Sequence, residues 1–226
     1  MDVPALLLSL ELATISALVL LVVGIPVAYW IAFSRVRWKP LIEALVALPL
    51  VLPPTVLGFY LLIGLGPRGP VGRFLESSFD VRLAFSFEGL VVGSVIFSLP
   101  FAIQPVAAGF SAVDRGLIEA SWCLGASRLR TFFRVIVPLS VRSIIVGFVL
   151  SFAHTMGEFG VALMIGGNIP GVTRVASIAI YEDVQALEYS RAAATSLVLL
   201  TLSFSVLAAT YALQGRRAFH PWPAGS

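Results

Sequence analysis

The sequence has 226 residues, of which 58% are hydrophobic and only 12% are charged, with a formal net charge of +3. Soluble domains carry about a quarter charged residues, so this composition excludes an ordinary soluble domain and indicates an integral membrane protein. The basic residues lie between apolar blocks rather than in one patch. We therefore expect no nucleic acid among its partners.

Five apolar blocks follow one another along the chain, at about residues 5–33, 41–65, 87–110, 136–165 and 192–213. Each is long enough to cross the hydrocarbon core as a helix, and the period-2 alternation of barrel strands is absent. The sequence predicts an all-α integral membrane domain over 5–214, a bundle of about five spanning helices, and a short cytoplasmic tail over 215–226. Asp2 replaces the basic start of a signal peptide, so we expect the first block to be retained.

Prolines and small residues interrupt these blocks. Pro53-Pro54 removes two backbone donors and must bend or break the second block, and Pro100 and Pro105 act similarly in the third. Broken helices at membrane depth occur where they line a cavity or are buried in protein, so both explanations remain open. A GxxxG at 89–93 permits close helix contact, either within the chain or between two copies.

The fourth block contains His154 and Glu158. A carboxylate at membrane depth costs about 2.5–3.5 kcal/mol on insertion scales and is a functional candidate. The i,i+4 spacing would place both side chains on one helix face. The favoured interpretation is a structural polar pair, with the carboxylate bonded to neighbouring backbone or facing a partner helix. The alternative is the acid–base pair of an intramembrane enzyme, for which few further polar groups are available.

Cofactor chemistry is poorly supported. The single lysine, Lys39, precedes Pro40, so the chain lacks the Gly-Lys-Ser/Thr of a Walker A loop. Cys123 is the only cysteine, and His154 and His220 are the only histidines. No intrachain disulfide, cysteine metal site or multi-histidine cluster is expected, and no cofactor or metal is predicted for this chain.

Orientation follows from the lysines and arginines. Ten of them would lie on one side of the membrane and five on the other. The positive-inside rule makes the first side cytoplasmic. We therefore expect a multi-pass membrane protein with the N-terminus outside and the C-terminus in the cytoplasm.

The cytoplasmic segment 111–135 has more helix signals than a plain connection needs. Ser111 and Asp114 resemble a capping box before DRGLIEASWCL, and Gly125 is placed to end that helix. Ser127 can cap a second helix, RLRTFFRVIV, that ends at Pro138. The arginines alone are explained by the positive-inside rule, but the two helices and the corner between them are not.

This segment resembles the EAA loop of ABC importer permeases. The pattern E-A-[AS]-x-x-x-G-A-S with a later proline is matched by Glu119, Ala120, Ser121, Gly125, Ala126, Ser127 and Pro138. The resemblance implies that 111–135 contains a coupling helix which sits in a cleft of an ATP-binding subunit. Ser121 departs from the second alanine of the motif, but it is also small.

Two further segments narrow the resemblance. LPLVLPPTVLGFYLLIGLGPRGPVG (48–72) and GEFGVALMIGGNIPGVTR (157–174) resemble molybdate permeases, with sulfate and thiosulfate permeases as the nearest relatives. Within them, the residues predicted to form the translocation path or gate are Pro53, Pro54, Thr55, Gly157, Glu158, Gly160 and Asn168.

The resemblance implies a transport subunit of a prokaryotic cytoplasmic membrane that performs no covalent chemistry. It would form a homodimer that translocates molybdate and tungstate. Two ABC ATPase subunits would use ATP and Mg on the cytoplasmic side, and a soluble oxyanion-binding protein would deliver substrate outside.

Overall fold

The computed structural model describes residues 1–215, which contain helices and no strand. This confirms the all-α prediction. Of the predicted tail over 215–226, all but the first residue lies outside the described residues. The helices in chain order are α1 Val3–Phe33, α2 Lys39–Val51, α3 Pro54–Leu65, α4 Pro70–Phe79, α5 Phe87–Ser111, α6 Arg115–Cys123, α7 Arg128–Thr131, a π-helical turn Phe132–Ile136, α8 Val137–Leu139, α9 Val141–Met156, α10 Gly160–Gly166, α11 Ala176–Gln185 and α12 Tyr189–Gly215.

Within the described residues, three helices, α1, α5 and α12, are each long and apolar enough to cross a membrane. They coincide with the first, third and fifth predicted blocks. Two bent helix pairs raise the number of candidate spans to as many as five if each pair crosses once. The α5 helix continues through Pro100 and Pro105, which lie inside it.

The second predicted block, 41–65, is divided into two helices. The chain bends by 113° between α2 and α3. Pro53 and Pro54 cause the division, because neither offers a backbone donor to the preceding turn. Pro54 instead begins α3, where the missing donor is tolerated.

The fourth predicted block, 136–165, is also divided. The chain bends by 71° between the helical segment Arg128–Leu139 and α9, with Ser140 at the corner. The α9 helix then ends at Met156, and α10 begins only at Gly160. The hydropathy of the block is continuous, so the apolar run concealed both breaks.

The segments 66–86 and 166–191, which separate predicted apolar blocks, each contain a helix. Pro70 begins α4, and Asp80 ends it with a left-handed backbone at φ 53°. The second, α11, lies within 166–191, and its first turn is stabilised by a hydrogen bond to a distant part of the chain. There the Ala176 amide donates to Ser9 Oγ of α1 over 2.8 Å, which satisfies one of the free donors at the helix start.

The α1, α5 and α9 helices pack against one another, and two apolar clusters fill the bundle. One cluster, near the α6 end, includes Ala28, Val106 and Phe110. The other, near α10, includes Leu90 and Val161. The predicted coupling segment (residues 111–135, called the coupling segment below) and the α10 region therefore sit on separate cores of one bundle.

The GxxxG of α5 serves packing within the chain. A Cβ added at Gly93 would lie 3.1 Å from Val161 and 3.4 Å from Ile165, both in α10. The missing side chain lets α10 approach α5 closely. This observation favours the intrachain explanation over the dimer seam for Gly93.

Candidate functional site: the coupling segment and the broken membrane helices

The first helix of the coupling segment has well-defined ends. The Asp114 carboxylate caps α6 by accepting from the Gly116 amide at 2.7 Å. Ser111, which the sequence placed in a capping box, is instead the last residue of α5. That part of the prediction was wrong, because α5 runs on through the position that the box required.

Gly125 ends this helix by a Schellman motif. The Gly125 amide donates to the Trp122 carbonyl at 2.9 Å and the Ala126 amide donates to the Ser121 carbonyl at 3.1 Å. The φ of Gly125 is +80°, a left-handed value that glycine adopts without steric cost. Within the described part of the chain, no heavy atom lies within 4 Å of a Cβ built there. Backbone conformation, rather than space, makes glycine necessary at this corner.

Hydroxyl groups hold the two helices of the segment together. The Ser127 side chain caps α7 by accepting from the Arg130 amide at 3.3 Å. Ser121 Oγ and Thr131 Oγ1 are 2.9 Å apart, and Thr131 Oγ1 also donates to the Ser127 carbonyl at 3.1 Å. Thr131 is almost fully buried. Thr131 carries no signal in the sequence, because only the folded corner brings it to Ser121.

The outward surface of this unit is apolar and open. Leu124 is 89% exposed, and Leu117, Trp122 and Leu129 are also exposed. Glu119 and Ala120 lie on the exposed part of α6, while Ala126 is half-buried at the corner. A small helix with several exposed apolar side chains at its tip is typical of an interaction surface.

Pro138 does not end the second helix. The helical path continues from α7 through a π-helical turn, Phe132–Ile136, and then through Pro138 to Leu139. The π-helical turn provides the explanation, since its wider spacing relieves the clash that a proline makes in a regular α-helix. The direction changes two residues later, at Ser140.

The residues predicted for the translocation path come partly together at the two breaks. A Cβ at Gly160 would lie 2.7 Å from Pro54 Cβ and 3.2 Å from the Thr55 nitrogen. The start of α10 therefore rests directly on the start of α3. Pro53 precedes this contact in the chain, and Gly157 is exposed beside it with no close neighbour at its Cβ position.

Glu158 is buried in the break between α9 and α10, with 4% of its surface exposed. Its side chain lies beside Ser94 of α5. Among the described residues, neither carboxylate oxygen makes a well-formed hydrogen bond, and Ser94 is the polar side chain beside the carboxylate. Its backbone carbonyl accepts from the Ser177 hydroxyl. The expected bond from the carboxylate to neighbouring backbone is thus not formed.

His154 and Glu158 do not share a helix face, because α9 ends at Met156 between them. His154 Nδ1 is instead 2.9 Å from Ser98 Oγ, which is itself 3.0 Å from Thr155 Oγ1. The imidazole stacks on Phe101 with ring centroids 4.0 Å apart. This environment removes the geometric basis for an acid–base pair.

Asn168 lies apart from the α3–α10 contact. Its amide donates to Glu182, which also pairs with Arg174 at 2.5 Å. Arg174 in turn lies 3.5 Å from the Asp2 carboxylate. This polar cluster joins the start of α1, the turn after α10 and α11. The sequence offers little indication of this cluster, because Arg174 is far along the chain from Asp2 and not adjacent to Glu182.

Comparison with known proteins decides the family. Residues 24–218 match the family described as the binding-protein-dependent transport system inner membrane component. The chain belongs to this family.

Several known permeases are similar in sequence to this chain over most of its length. The molybdenum transport system permease protein ModB of Azotobacter vinelandii is 49% identical over 93% of both chains. ModB of Escherichia coli K12 is 39% identical over 80% of this chain and 79% of its own. A probable sulfate transport system permease protein of Prototheca wickerhamii is 34% identical over 88% of this chain and 78% of its own.

Solved structures share the fold. A bacterial ABC transporter involved in the import of the polysaccharide alginate superposes with a TM-score of 0.77, covering 96% of this chain and 80% of that chain at 19% identity. The MetNI methionine ABC transporter, in an inward-facing conformation, gives a TM-score of 0.74 over 94% of both chains at 15% identity. The bundle therefore shares its fold with these two solved transporter chains.

Proposed function

We propose that this chain is the permease subunit of an ATP-driven importer that carries molybdate, and tungstate with it, across the cytoplasmic membrane. One observation carries the proposal: the chain is 49% identical to a molybdenum permease over 93% of its length. The likeness to sulfate permeases is weaker, at 34% identity over a similar share of the chain. Sulfate is therefore the second cargo to test.

The coupling segment is the proposed contact with the ATPase. Glu119 and Ala120 are on the open side of a short helix, and the Gly125 corner and the Ser121–Thr131 hydroxyl pair hold that helix on α7. Because the two helices are held together, a movement of the ATPase against this unit would be transmitted to the membrane helices rather than absorbed by a change within the unit. ATP and Mg would be bound by two partner ATPase subunits, and the chain would hold no cofactor of its own.

The path itself is proposed to run beside the α3–α10 contact of a homodimer. At this contact two helices start within the bundle, at Pro54 and Gly160. Such broken helices are tolerated at membrane depth where they line a cavity or are packed in protein. A soluble oxyanion-binding protein would deliver the anion from the side of the N-terminus and the Asn168 cluster, with the C-terminus on the ATPase side.

Substrate selection tests the proposal. The chain is purified with its ATPase and binding protein, reconstituted in proteoliposomes, and supplied with molybdate, tungstate or sulfate together with ATP. We expect ATP-dependent uptake of molybdate and tungstate in large excess over sulfate. A complex whose ATPase lacks the Walker A lysine is the control. Preferential uptake of sulfate, or equal uptake without ATP, would contradict the proposed function.

A further inference from the structure

A positively charged cavity lies between the end of α1 and the coupling segment. Its volume is about 630 Å³, within the range of small-ligand pockets. Four cationic side chains line it together with a single carboxylate, Glu119; these cations are Arg35, Lys39, Arg115 and Arg128. The lining is therefore strongly positive on balance.

Most of that charge is uncompensated within the described chain. Lys39 lies 3.6 Å from Glu43, one turn further along α2. Among residues 1–215, Arg35, Arg115 and Arg128 form no ion pair. Three guanidinium groups at one cavity provide bidentate donors that suit a phosphate group.

An apolar groove continues from this cavity along α1. It has a volume of about 590 Å³, and Tyr29 and Arg128 line both spaces. The rest of the groove is apolar, with Val22 of α1 and Phe133 of the π-helical turn on its walls. Val22 is 75% exposed on α1, a helix long and apolar enough to cross a membrane, so in the single chain this wall is accessible to lipid.

Tryptophans mark the depth of the cavity. Trp30 lies near the end of α1 and Trp38 at the start of α2, and both are exposed. Exposed tryptophans on membrane helices concentrate at the level of the lipid headgroups. The cationic cavity is thus at headgroup level, and the groove runs from it toward the acyl chains.

We propose that this combined pocket binds one anionic phospholipid from the leaflet at this end of α1. The arginines hold the phosphate, and an acyl chain lies in the groove between α1 and the π-helical turn. A zwitterionic lipid would bring its own cation into a cavity that is already positive. A free phosphate would leave the groove empty. The bound lipid would connect the α1–α2 turn to the coupling segment, because Arg35 and Arg128 come from these two elements.

Lipid retention measures the site directly. The full-length chain is placed in nanodiscs containing equal amounts of phosphatidylglycerol and phosphatidylcholine, and the lipids that remain bound are measured by native mass spectrometry. We expect the wild-type chain to retain phosphatidylglycerol. Arg35→Gln should lower that retention about fivefold, the contribution of one cation near a membrane surface. Arg35→Lys should keep most of it.

Arg37→Gln is the matched control, because Arg37 lies in the same turn but does not line the cavity. It should retain lipid as the wild-type chain does, and inorganic phosphate should not displace the lipid. Equal loss in Arg37→Gln would overturn the proposal, as would equal retention of phosphatidylcholine. Displacement by phosphate would assign the cavity to a soluble anion. Loss of the lipid when the ATPase assembles on the chain would also overturn the proposal, because the cavity would then belong to the contact with the ATPase.

Discussion

The coupling segment and the α3–α10 contact both join two short helices, but different forces hold them. Around Gly125, hydrogen bonds between residues close in the chain form the corner, and the outer surface stays open. Where Gly160 meets Pro54, distant parts of the chain touch through small residues with almost no free space. Local hydrogen bonding thus shapes the segment that leaves the membrane, and close packing shapes the one within it.

The largest effect is expected where packing is closest. A valine at Gly160 would drive its Cβ against Pro54 and the Thr55 backbone, 2.7 and 3.2 Å away. Overpacking of this kind costs about 1–3 kcal/mol, so the melting temperature of Gly160→Val in detergent should fall clearly and uptake should be lost. Gly157→Val is the matched control, since the nearest atoms to its Cβ are 3.9 Å away. If both variants melt alike, close packing is not what makes Gly160 necessary.

A smaller effect is expected at the Gly125 corner, where only the backbone is constrained. A left-handed conformation costs an ordinary residue about 1–2 kcal/mol. Gly125→Val should therefore lower the unfolding free energy by about that amount. Asparagine, which adopts this conformation more readily, should restore most of it. Thermal unfolding of the two variants measures the difference, and an Asn variant as unstable as the Val variant would contradict the backbone explanation.

The smallest effect is expected from the hydroxyl pair. Ser121→Ala removes the 2.9 Å contact with Thr131 but leaves the bond from Thr131 to the Ser127 carbonyl. A single hydrogen bond contributes about 0.5–1.5 kcal/mol, and Thr131 keeps one partner, so the loss should lie at the low end. A double-mutant cycle of Ser121→Ala and Thr131→Val should show a coupling energy of similar size. Strictly additive effects would mean that the two hydroxyls do not stabilise each other.

These differences explain which features the sequence could reveal. The Gly125 stop and the Ser127 cap depend on neighbours a few residues away, and both were predicted. The Gly160–Pro54 contact and the Ser121–Thr131 pair depend on tertiary approach, which no local pattern encodes. The breaks at Ser140 and after Met156 were missed because hydropathy is continuous across them. Conversely, the Ser111–Asp114 pattern fitted a capping box that α5 overrides by continuing to Ser111.

We propose that the Gly125 corner transmits the work of ATP hydrolysis to the membrane helices, and a pair of glycines tests this role. Gly125 and Gly171 have φ values of +80° and +75°, and among residues 1–215 neither has an atom within 4 Å of an added Cβ. Valine should therefore strain both positions alike. Gly125 lies in the coupling segment, whereas Gly171 lies in the turn between α10 and α11.

The decisive measurement is the number of molybdate ions taken up per ATP hydrolysed by the reconstituted complex carrying Gly125→Val or Gly171→Val. We expect this ratio to fall severalfold in Gly125→Val and to stay at the wild-type value in Gly171→Val, although both variants lose similar stability. A wild-type ratio in Gly125→Val, or an equal fall in both variants, would contradict the assigned role of the coupling segment.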